Sequence, residues 1–332
     1  MKPAALLRNR RARVTRFLWP LLLLCGAVAQ AQTTPGGTTG RVVLVPHLNP
    51  GETLRYQLDF RSRAKGSVTG AVNDPQGTRE VQLSLGVVMR VDVLDLAPGT
   101  GTAGAGLRLR STYEKLAADV RSDTPYPEAE DIKTRMAQLE GKSFEFTMDP
   151  KGRMRDLSGL AALLPEQAQA AQEWLQGVSS ADILPEGGIA PGERWASEQD
   201  AGLPLAGVKW LRESTYLRNE SCRPMPGEAA SRENCAVILT RSLLARKGDA
   251  KDATPAELRK QGLRTSGTAE GSSEALTYVS LTTGLVVSLT QSGAQKMNVT
   301  VALADGSNAV NYDADVKTET QLSLVSEPGG KP

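Results

Sequence analysis

Val81, Leu83, Leu85, Val87, Met89, Val91 and Val93 fill every second position of one stretch, with Gln82, Ser84, Arg90 and Asp92 between them. A period of two cannot make the apolar stripe of an α-helix. In a strand it sends every apolar side chain to one face and every polar one to the other. Leu54, Tyr56, Leu58 and Phe60 alternate in the same way with Thr53, Arg55, Gln57 and Asp59, as do Leu107 and Leu109, and Phe144, Phe146 and Met148. Strands with one wet face belong to antiparallel sheets. The fold class that follows is mainly β: a curved antiparallel sheet or half-barrel.

The strand connections are readable as well. Asp149-Pro150-Lys151-Gly152, Thr282-Thr283-Gly284 and Asp305-Gly306 each separate two strand-like runs, where Pro and Gly set the turn dihedrals. Two stretches break the β pattern and are expected as inserted helices. One starts at Pro127 with Glu128, Glu130 and Asp131 in its first turn, shares Ile132, Met136 and Leu139 on one face, and ends at Gly141. The other starts at Pro165 and lines up Leu164, Ala168, Ala171, Leu175 and Val178, with Gly177 at its end. Lys247–Ser273 shows no apolar period and is expected as a long mobile insertion with one helical turn near Ala256.

A faint duplication runs through the chain. Pro50-Gly51-Glu52 and Pro191-Gly192-Glu193 are each followed by an aromatic strand. Later in each half a strand, a glycine turn and a strand follow one another, Phe144 to Gly159 and Leu276 to Gly293. Both Pro-Gly-Glu motifs are read as turns that launch the first strand of a half, with Gly at positive φ. The expected organisation is a first β-rich half at 41–180 and a second at 183–327, preceded by a flexible 32–40 and followed by a tail at 328–332.

Residues 1–31 read as a cleavable export signal. Lys2, Arg8, Arg10, Arg11, Arg13 and Arg16 form a basic start, FLWPLLLLCGAVA an apolar run too short to span a bilayer comfortably, and Ala29-Gln30-Ala31 a small-x-small cleavage site. Cys25 follows Leu24 rather than a small residue, which argues against lipidation. Six of the 39 basic residues lie in the signal, so the remaining 33 face 37 acids, a net charge of −4. That balance offers no electrostatic footprint for nucleic acid or anionic membrane, and no membrane span is expected after processing. Of the remaining cysteines, Cys222 and Cys235 bracket a polar loop between two apolar runs. In an exported chain this spacing predicts a disulfide, contributing about 3 kcal/mol in the chain-entropy model. His47 is the sole histidine, so two sulfurs would lack the partners for a zinc site. No metal and no cofactor is expected.

Signal, Pro-Gly-Glu-aromatic openings, strand-Gly-strand hairpins and inserted helices together give a layout that resembles uncharacterised exported bacterial β-rich families of unknown function. More distantly it resembles the Lol-type lipoprotein-carrier half-barrel, in which a curved sheet with helices across its concave face holds lipid chains. The resemblance rests on layout and transfers no functional residue.

Three motifs suggest catalysis or nucleotide binding and lack their context. Gly99-Thr100-Gly101-Thr102-Ala103-Gly104 is followed by strand-like alternation rather than the helix that would receive a pyrophosphate. Ser62-Arg63-Ala64-Lys65 lacks the companion elements of the penicillin-interacting serine enzymes. His47 has no G-x-S-x-G elbow to serve. Aromatics make up only 4% of the chain, few for stacking platforms. Three function classes remain: an exported, non-catalytic periplasmic or secreted protein that binds an apolar ligand, a lipoprotein or another envelope protein; an interaction or structural module without a small ligand; and a hydrolase whose site sequence does not display. For the first, Leu164, Ala168, Ala171 and Leu175 would form a lid over acyl chains. The mature chain is expected to begin at Gln32. N-terminal sequencing of exported material checks this, and a retained Met1 would overturn the export reading.

Overall fold

The alternating segments pair into one sheet. The computed structural model describes residues 40–70, 77–97, 106–124, 128–158, 184–185, 187–222, 233–246 and 253–325. Its strands are β1 Thr53–Thr69, β2 Arg79–Ala97, β3 Gly106–Ser122, β4 Ser143–Met148, β5 Met154–Ser158, β6 Arg194–Asp200, β7 Val208–Ser221, β8 Asn234–Arg246, β9 Leu263–Ser280, β10 Val286–Leu303 and β11 Val310–Val325. Two helices, α1 Glu128–Ala137 and α2 Ala256–Lys260, sit in the β3–β4 and β8–β9 connections. The order across the sheet is β5-β4-β3-β2-β1-β11-β10-β9-β8-β7-β6, antiparallel throughout, and the edges β5 and β6 do not close into a barrel.

Chain neighbours pair with chain neighbours except at the centre, where the first strand meets the last. β1 and β11 share fifteen residue pairs, from Arg55↔Val325 to Thr69↔Asn311. The element order β-β-β-α-β-β occurs twice, as β1–β5 and as β6–β10, and β11 stands between the two units in the sheet.

Each unit opens on the same turn. In the first, Gly51 has φ +90°, Glu52 N–H donates to Asn49 O at 3.1 Å, and the Glu52 carboxylate accepts from Asn49 N–H at 2.9 Å. In the second, Gly192 has φ +85°, Glu193 N–H donates to Ala190 O at 3.0 Å, and the Glu193 carboxylate accepts from Ala190 N–H at 3.0 Å. Gly51 N–H reaches Val93 O in β2, as Gly192 N–H reaches Tyr216 O in β7. These are turns with Pro second and a positive-φ Gly third, each starting a strand against its neighbour. The glutamates lock the turn.

One side of the sheet, called inner below, carries the core. At one strand end Tyr56, Met89, Val93, Phe144, Phe146, Tyr216, Ile238 and Val279 form a buried cluster, joined by Leu44 and Ile189. A strap at 41–52 seals this end. Val42 pairs with Ile189, Arg41 binds Gly188 O and Glu193 at 2.8 Å, and His47 N–H donates to Thr283 O at 2.7 Å. At the other end Val208, Trp210, Leu244, Met297, Val299, Ala314 and Val316 cluster with Leu205 and Ala253. Thr265 N–H donates to Thr254 Oγ1 at 2.9 Å and Thr265 Oγ1 to Ala253 O at 2.8 Å, pinning the approach to α2. Cys222 and Cys235 form the expected disulfide, with 5.0 Å between Cα atoms.

Helix α1 lies where its caps predicted. The expected mobile insertion at Lys247–Ser273 is corrected: Leu263–Ser273 is strand, the first part of β9, and α2 precedes it. Its inward positions are Thr265, Gly267, Ala269, Gly271 and Ser273. They are small, so the alternation carries no apolar signal. The expected helix with Leu164, Ala168, Ala171 and Leu175, the glycine run at Gly99–Gly104 and residues 1–31 lie outside the described residues.

Gly51 and Gly267 separate two roles of glycine. A Cβ on Gly51 would meet nothing within 4 Å, whereas one on Gly267, at φ +140°, would sit 2.1 Å from Asn298 O. Gly51→Ala should therefore cost only backbone strain, about 1–2 kcal/mol. Gly267→Ala should cost clearly more, because β9 and β10 must also separate. Urea melts of both variants check the order, and equal losses would contradict it.

Candidate functional site

The inner face between the two buried clusters is where the halves of the sheet differ. On β2 it is apolar from Val81 to Val93, and on β1 and β3 mostly so, with Ser62 and Ser111 as polar exceptions. Leu58, Leu83, Leu85, Leu116 and Ala118 point inward there and are only half-buried, unlike the buried residues nearer the strand ends. On β6 to β11 the middle of the same face is small and polar. One cross-strand row reads Ser197, Arg212, Ser242, Ser273, Gly293, Thr318 and Ser62, each directly opposite the next. At β2 the row turns apolar with Leu83. A second row runs Ser214, Thr240, Ala275, Gln291 and Thr320, and the Ser214 and Thr240 hydroxyls lie 2.9 Å apart.

Charge is sorted between the faces. The outer face carries ion pairs such as Arg55–Glu114 at 2.9 Å, Arg63–Glu80 at 2.8 Å, Arg110–Glu145 at 2.6 Å and Arg241–Glu274 at 2.8 Å. Solvent screens pairs of this kind, so they set solubility and cross-strand register more than stability. Along β1–β4 and β6–β11 the inward positions hold no Asp, Glu or Lys among the described residues. They hold three cations, Arg79 at the start of β2, Arg212 and Arg246. Arg246 Nη1 lies 3.5 Å from Gly267 O near one strand end, whereas Arg212 lies mid-row.

The outer face has its own hollow, of about 800 Å³, crossing β6 to β11 at mid-strand. Ser272, Ser292 and Ala294 lie on its floor, with the Arg241–Glu274 pair and Leu243 around them. It opens to solvent and carries both signs of charge.

The sequence candidates separate in space. Ser62 points inward and is buried, while Lys65 is three residues on and points outward, so the pair cannot act as nucleophile and base. His47 is exposed on the strap, where its backbone is what binds. Trp195 and Trp210 are buried on the inner face, packed rather than presented. Among the described residues no three His, Cys, Asp or Glu side chains converge. The sequence reading passed over Arg212. Its signal was parity: in Val208-Lys209-Trp210-Leu211-Arg212-Glu213-Ser214-Thr215-Tyr216 the arginine shares its phase with Trp210 and Tyr216.

No protein-family model matches the chain, and no curated protein matches its sequence.

Burial pushes the Tyr56 and Tyr113 phenols well above the usual 10.0, because the phenolate would lose its solvent. The stability their neutral forms confer is complete below about pH 10 and falls as pH rises further, since only the unfolded chain ionises them readily. The slope is at most about 1.4 kcal/mol per pH unit for each phenol. Denaturant melts between pH 8 and 11 should therefore show a shallower alkaline loss for Tyr56→Phe than for the unsubstituted protein. Parallel curves would contradict the assignment.

Proposed function

We propose that this is an exported, non-catalytic envelope or secreted protein that holds the apolar chain of a lipid or lipid-bearing protein against the inner face of its sheet. The observation that carries the reading is the half-buried apolar wall of Leu58, Leu83, Leu85 and Leu116 between two sealed ends. Side chains of this kind gain about 25 cal/mol per Å² when covered, and each CH₂ of a chain buried against them contributes about 0.8 kcal/mol. The Cys222–Cys235 disulfide fits an oxidising compartment, and among the described residues no helix is long and apolar enough to cross a membrane. Export itself rests on the reading of residues 1–31, and the resemblance to carrier half-barrels points the same way.

A second reading, a protein-interaction module, draws on the outer hollow and on Leu243, which is 62% exposed beside it.

The two readings part in a titration. Protein purified without detergent should bind a fluorescent hexadecanoyl probe saturably. Ala118→Trp, which fills the middle of the apolar wall opposite Leu85, should weaken binding about tenfold or more while circular dichroism stays unchanged. No saturable binding by the unsubstituted protein would leave the outer hollow as the better lead.

A further inference from the structure

We infer that the inner face carries a head-group subsite for an anionic amphiphile, centred on Arg212. This rests on the chain-binding reading above and adds to it the polar end of the ligand. Arg212 is half-buried, and among the described residues it makes no hydrogen bond or ion pair. A guanidinium cannot shed its proton, so a cation drawn out of water without a counter-charge remains a cost to the fold until an anion arrives. None of the inward positions on the ladders of β1–β4 and β6–β11 supplies a carboxylate to meet it. The planar fork of the guanidinium matches a carboxylate or phosphate group with two parallel hydrogen bonds.

A second group is idle on the same face. Gln295 is 7% exposed, and its Nε2 has no hydrogen-bond partner. A buried amide donor left unpaired costs about 1–3 kcal/mol, so an arriving acceptor would be stabilised there too. Between Arg212 and Gln295 the inner face carries only the small residues Ser242, Ser273 and Gly293. A Cβ on Gly293 would already lie 3.1 Å from Thr318 Oγ1 and 3.3 Å from Ser273 Cβ.

The distances suit one long-chain molecule. Strands β7 and β1 are five steps apart in the sheet, about 24 Å at about 4.8 Å per step. One bilayer leaflet, tail with head group, measures about 20–22 Å, and the arginine side chain spans the difference. With its oxyanion on Arg212 such a molecule crosses β8 to β11, and the end of its tail meets the apolar wall at β1. A free small anion would use only one end of this arrangement.

The test compares hexadecanoate, its uncharged glycerol monoester and acetate, each below micelle-forming concentrations, by displacement of the hexadecanoyl probe. The unsubstituted protein should prefer hexadecanoate over the monoester by about tenfold or more. Arg212→Gln should bring that ratio near one. Arg212→Lys, which keeps the charge and loses the fork, should retain part of it, and Gln295→Met should lower it. A ratio near one in the unsubstituted protein, with both chains bound, would overturn the head-group subsite and leave the chain-binding reading standing. No displacement by any chain would overturn both. Acetate competing at concentrations similar to hexadecanoate would overturn the amphiphile in favour of a free-anion site.

Discussion

The ladder between β1 and β11 is the interaction on which the architecture depends. Among the described residues it is the only strand ladder that joins the first five strands to the last six. Its inward pairs, Tyr56↔Leu324, Leu58↔Leu322 and Ala64↔Val316, carry the apolar face from one half into the other. At its far end the backbones close in. A Cβ on Gly66 would lie 2.5 Å from Asp313 O, and one on Gly70, at φ +87°, would lie 2.3 Å from Ala309 O. Without this ladder there are two meanders, each with an open edge and an uncovered apolar side.

Because the two β-β-β-α-β-β units run in the same direction along the sheet, the polar wall of one faces along the arc toward the apolar wall of the other. The first unit contributes mainly leucines, valines and phenylalanines, the second also serines, threonines, glutamines and two arginines. An amphiphilic interior arises here from two units that share a layout and differ in what they turn inward. The shared layout is most visible in the turns, where Glu52 and Glu193 make the same bond three residues back. Their carboxylates are engaged by backbone, which is why a repeated acidic motif marks a strand start and not a reaction centre.

The strands of the first half were legible because their inward residues are large. Val81 to Val93 announces its face with seven apolar side chains. The disulfide and the turns were legible because Cys, Pro and Gly act locally. β9 was not, because Gly267, Ala269, Gly271 and Ser273 give no hydrophobic contrast. The polar row on the inner face was also hidden, for a different reason. Ser242, Ser273, Gly293 and Thr318 are unremarkable one at a time, and they form a row only through the registers of three ladders. Arg212 falls between these cases: its phase is visible in the sequence, but its lack of a counter-charge depends on every neighbouring strand.

The meeting of the first and last strands also sets a timetable. Phe60 pairs with Thr320, so β1 leaves the ribosome and then waits for nearly the whole chain to follow. At about 5–20 residues per second that wait lasts on the order of tens of seconds. During it, one edge of β1 and the apolar side of the β1–β2 hairpin are open to other nascent chains. The outward phase of β1 reads Arg55, Gln57, Asp59, Arg61, Arg63 and Lys65. Four cations on one waiting strand repel a second copy of itself, so the residues that later carry the ion pairs of the outer face first act as a guard against premature pairing.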